Sequence, residues 1–116
     1  MDLFDTHCHL DDPVFDADRE QVLGRCRHAG VRRIVVPGVT ADSWSRLLAL
    51  CESDAGLYPA LGMHPMYLEA HKPAHLDQLA SLLEESRPVA IGEIGLDYYI
   101  ANPDRRNQES LLRAQL

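Results

Sequence analysis

Two histidines stand one residue apart near the start of the chain, His7 and His9 in the run DTHCH. In an extended run, side chains two residues apart point the same way, so the two imidazoles project together, with Asp5 one step deeper on the same face. Two neutral imidazoles about 2 Å from a cation are what zinc or a similar divalent ion needs, and Asp5 or a backbone carbonyl is available to fix the ring tautomers. Taken alone, such a pair also arises as a strand end hydrogen-bonded to its neighbours.

Glu93 lies between two glycines in IGEIG and shares strand parity with Ile91 and Asp97. Its carboxylate is expected at the inner surface or mouth of a sheet, where burial costs on the order of several kcal/mol unless the charge is paired or bound to a cation. His64, in GMHP, shares parity with Ala60 and Gly62 and adds a third polar group that suits a metal or a phosphate; a packed or loop-capping role is its alternative. His28 closes a helix, where a cation favours the dipole, and His71 and His75 fall in a polar loop. Asp11 and Asp12 read as a solvated or turn-capping pair rather than as ligands.

The elements that must position these groups alternate strictly. A strand over residues 2–10 precedes a helix capped by Asp18, with Val22, Leu23, Cys26 and Ala29 at helical spacing and Gly30 just past its end. VRRIVVPGVT is a β-branched second strand, and Asp42 caps a helix with Trp44, Leu47, Leu48 and Cys51 as its apolar stripe. LYPALGMH, HLDQLASLLEES and PVAIGEIG supply a strand, a helix and a fourth strand. Asn102 and Pro103 read as N-cap and first residue of a last helix through Leu111 and Leu112. Four βα units imply a parallel sheet covered by helices, either an open doubly wound sheet or a closed barrel. In both, sites sit at the C-terminal ends of strands, where His7, His9, His64 and Glu93 all fall.

The 116 residues can bury a core without disulfides, and 46% hydrophobic with 25% charged residues is ordinary soluble usage. Cys8, Cys26 and Cys51 are odd in number and lack CxxC spacing, so they read as reduced packing residues. The acidic N-terminus and the absence of a long apolar run point to a soluble cytoplasmic chain that spans no membrane. A net charge of −7 disfavours a broad electrostatic grip on nucleic acid, so metal ions must supply positive charge if DNA is the substrate.

DTHCHLD, GMHP and AIGEIGLDYY, in that order and about 55 and then about 30 residues apart, resemble the TatD family of metal-dependent deoxyribonucleases within the amidohydrolase superfamily. The resemblance implies a (β/α)8 TIM barrel with two divalent ions, magnesium, manganese or zinc. It also implies that His7 and His9 bind one ion, that Glu93 bridges both, and that His64 lies near the substrate phosphate. The substrate it implies is DNA, at single-stranded ends. The remaining ligands and an aspartate serving as general base come from the second half of such a barrel, which needs about 250 residues and eight βα units. The expectation is therefore a single partial barrel over residues 1–116, ending within or just after its fourth helix, with little turnover alone. Its first and fourth strands would be open edges inviting self-association or pairing with the missing half. The rivals are another amidohydrolase-type amide or ester hydrolase and a non-catalytic, self-associating module.

Overall fold

The computed structural model describes residues 1–116. Four parallel strands, β1 (Leu3–Asp5), β2 (Val31–Pro37), β3 (Leu57–Leu61) and β4 (Ala90–Ile91), lie side by side in chain order. Between and after them run α1 (Arg19–His28), α2 (Ala41–Ser53), α3 (Pro73–Ser86) and α4 (Arg105–Gln115). This βα repeat is half of a (β/α)8 barrel, with the functional motifs at the strands' C-terminal ends.

The helical stripes face the core, although Ala29 at the end of the α1 stripe is exposed. Leu23 of α1, Trp44, Leu47 and Cys51 of α2 and Leu79 of α3 form one core with Ile34, Val36, Leu57 and Leu61 of the central strands. The indole N–H of Trp44 donates to the Gly62 carbonyl at 3.2 Å, so the largest core side chain also anchors the end of β3. Gly30 ends α1 at φ +92°, and a Cβ there would meet the Met1 carbonyl oxygen at 2.8 Å. On the outer strands, Leu3, Phe4 and Ile91 remain exposed, as does Val89 beside β4.

Several boundaries differ from those read in the sequence. β1 and β4 are short, so His7, His9 and Glu93 follow strand ends instead of lying within strands. Beyond β1 the cause is local: the Asp5 carboxylate accepts the His7 backbone N–H at 3.0 Å, diverting that donor from the ladder. Thr40, not Asp42, occupies the N-cap of α2. α4 starts two residues beyond Pro103 because Asp104 caps it, accepting the Asn107 backbone N–H at 3.1 Å. His75 lies in the first turn of α3, where its Nδ1 accepts the Lys72 N–H at 3.2 Å.

Candidate metal centre

Backbone hydrogen bonds bind the three motif segments to the central strands. Past β1, Cys8 N–H donates to Val35 at 3.0 Å; past β3, His64 N–H donates to Val39 at 2.9 Å; past β4, Glu93 N–H donates to Gly38 at 2.8 Å. The end of β2 is therefore the common frame on which residues distant in sequence are set at one depth.

On that frame the side chains converge. His7 Nε2 and His9 Nε2 lie 3.2 Å apart, with their rings edge to face. Glu93 Oε2 is 3.5 Å from the first nitrogen and 3.2 Å from the second. These three donor atoms lie within 4.8 Å of one another. Two imidazole nitrogens and a carboxylate oxygen at such spacing are a donor set that fits a divalent cation with small side-chain adjustments. The site is open to solvent, since the His7 and His9 side chains keep 54% and 41% of their exposure.

His64 has a different part. Its Nδ1 accepts the Met66 backbone N–H at 3.0 Å, so in the neutral ring the proton sits on Nε2, which faces Glu93 Oε1 at 3.4 Å. A protonated Nε2 donates a hydrogen bond and does not ligate a metal. His71, read as a loop residue without a role, supports this turn: its Nε2–H donates to the His64 carbonyl at 2.8 Å. Asp5, one of the two candidates for fixing an imidazole tautomer, accepts the His7 backbone N–H.

Asp11 is the residue that sequence reasoning set aside. Its neighbour Asp12 caps a 3₁₀ turn by accepting the Val14 N–H at 2.8 Å, whereas Asp11 is only 8% exposed and its Oδ1 has no partner. Burial pushes the Asp11 carboxyl above the ordinary carboxylate range, with its own backbone N–H opposing. It shares a cavity of about 370 Å³ with His9, His64 and Glu93. No sequence signal separates Asp11 from Asp12, because the chain's turn alone decides which is covered. The cysteines stand outside this chemistry: burial first, then the charges of Asp11 and Asp54, push the Cys51 thiol up to about 12.

The sequence model of the family described as TatD related DNase matches residues 4–116. The uncharacterized metal-dependent hydrolase YjjV of Escherichia coli is 46% identical over 114 residues, covering 97% of this chain and 44% of that protein. The 3'-5' ssDNA/RNA exonuclease TatD of Pantoea sp. is 34% identical over 115 residues, covering 98% and 44%. The crystal structure of the Escherichia coli YjjV protein superposes with a TM-score of 0.92 at 45% identity, over 97% of this chain and 44% of that one. A TatD-family hydrolase from Entamoeba histolytica shares the fold with a TM-score of 0.87 at 24% identity. The chain thus spans less than half the length of these relatives.

Proposed function

The chain belongs to the TatD-related DNase family of metal-dependent hydrolases, and on that footing we propose that it carries the first half of the active site of a phosphodiester hydrolase. In its full-length form that hydrolase is a 3'-to-5' exonuclease acting on single-stranded DNA ends. The observation that carries this reading is the convergence of His7, His9 and Glu93 beside the Nε2–H of His64. The first three are a cation's donor set, and the fourth is a donor for an anion's oxygen.

In this reading His7 and His9 would hold one divalent ion and Glu93 would be shared with a second, each being magnesium, manganese or zinc. When bound, such ions polarise a phosphodiester and lower the pKa of water. The chain's own residues do the positioning. Asp5 fixes the His7 backbone, the Met66 N–H fixes the His64 tautomer, and Nε2 of His64 donates to a non-bridging phosphate oxygen. The general base, an aspartate, comes from the second half of the barrel. With a net charge of −7, DNA is gripped at its end and not along a basic groove. Three free cysteines accord with a reducing, cytoplasmic location, and no helix is long and apolar enough to cross a membrane.

Residues 1–116 act as one partial barrel domain with little turnover by itself, and the exposed Leu3, Phe4 and Ile91 of its outer strands make it self-associate or pair with the second half. The test is intact mass and metal content of the 116-residue chain, assayed beside the longest natural polypeptide for magnesium-dependent nucleotide release from single-stranded DNA. Release by the long form alone is the expected result. Strong metal-dependent release by the short chain overturns the half-site reading, and hydrolysis of amides or carboxylic esters in place of DNA overturns the nuclease assignment.

A further inference from the structure

The metal cavity does not end at the triad. Met66 and Tyr67, at the start of the 3₁₀ segment after His64, line it on one side and line a second, larger cavity of about 590 Å³ on the other. The second cavity lies between that segment and the loop before α4, with Ile100 and Asn102 on its far wall. Its volume is in the range of small-molecule sites. The Tyr67 ring meets the His64 ring at 5.8 Å and 61°, so it is oriented by the imidazole whose Nε2 faces Glu93, yet it stays 43% exposed; Met66 is 51% exposed.

The chemistry of this groove differs from that of the triad. Met66, Tyr67, Leu68 and Ile100 line it with apolar and aromatic surface, the amide of Asn102 offers a donor and an acceptor, and Glu69 and Asp104 are its only charged lining groups. Two carboxylates repel a phosphate backbone, while an uncharged planar ring meets an aromatic face, a thioether and an amide. Every nucleobase has a π-face to stack, which makes such a platform tolerant of sequence.

From this continuity and charge pattern we propose that the groove at Tyr67 is a base-binding subsite, stacking the nucleobase attached to the phosphodiester held between the triad and His64. The proposal rests on the nuclease reading above and adds the part of the substrate that the metal-side residues do not touch. Tyr67 is its specificity residue: it makes the enzyme prefer a nucleotide end over a base-free phosphodiester.

The test compares fluorescence anisotropy binding of two single-stranded oligonucleotides, identical except that one carries an abasic tetrahydrofuran unit at its 3' end. The longest natural polypeptide is used as wild type, Tyr67→Ala and Tyr67→Phe. The wild type is expected to bind the intact end about tenfold more tightly, the worth of roughly one stacked base. Tyr67→Phe keeps that preference, and Tyr67→Ala removes it. Equal binding of both strands by the wild type, or a preference that survives in Tyr67→Ala, overturns the subsite and leaves the nuclease reading standing. Binding of neither strand, with hydrolysis of a carboxylic ester retained, overturns both.

Discussion

The side chain of Gln115, the last residue of α4, closes a two-point clasp on the backbone of Met63: Met63 N–H donates to Oε1 at 2.7 Å, and Nε2–H donates to the Met63 carbonyl at 3.1 Å. Two turns earlier in the same helix, the buried Gln108 does the same to Asp97, at 2.7 and 2.8 Å. The pair fastens α4 both to the His64 turn and to the loop after Glu93.

Gln115→Leu therefore leaves a buried N–H and carbonyl without partners. It is expected to lower stability by on the order of 3 kcal/mol, read as a reduced urea midpoint. Because Met63 precedes His64, phosphate affinity should fall with it, and an unchanged midpoint would refute the clasp's structural weight.

Gly62 carries a second dependency. A Cβ there would stand 2.8 Å from the Gly92 carbonyl carbon and 2.9 Å from Glu93 N, both backbone atoms that cannot rotate away. Gly62→Ala should displace the Glu93 segment, cost about 1–3 kcal/mol, and weaken metal binding more than an alanine substitution within β3 does. Isothermal titration with manganese measures the second effect.

The triad and His64 are separable by one set of measurements. In the longest natural polypeptide Glu93→Ala is expected to remove metal and activity together, a larger loss than the roughly 10–100-fold that outer-shell partners cost. His64→Ala should retain metal content while substrate affinity drops about 10–100-fold, the worth of one hydrogen bond to a charged oxygen. Full activity in Glu93→Ala contradicts the bridging role, and metal loss in His64→Ala contradicts the donor role.

Acid sensitivity is predicted at the latch between α1 and the end of α2. Burial alone would raise the Asp54 carboxyl, but the Gly56 N–H at 2.7 Å and two Arg27 Nη2 contacts at 2.9 Å outweigh it and hold the group below the usual carboxylate range. A carboxyl depressed in the folded state stabilises the fold above its unfolded pKa of about 3.9 and loses that contribution as pH falls through the folded value. Asp54→Asn should thus cost about 1–2 kcal/mol at pH 7. The deficit should shrink in urea titrations run below about pH 4, and one that persists undiminished there would refute the assignment.

The helical stripe of Trp44, Leu47 and Cys51, the β-branched strand at 31–37 and the motifs at strand ends were all legible in the sequence, because burial periodicity and the placement of polar residues after apolar runs are local properties of the chain. So was the identity of the groups that meet, His7, His9, His64 and Glu93. What only the tertiary structure decided is how they meet. Asp5 spends its carboxylate on a backbone N–H and Asp104 displaces Asn102 as a cap, since several local donors compete and packing selects among them. The tautomer of His64 is set by the Met66 N–H, which no periodicity encodes. Asp11 is buried and Asp12 is not because the turn after His9 rotates one carboxylate under the neighbouring segments, a choice made by contacts distant along the chain.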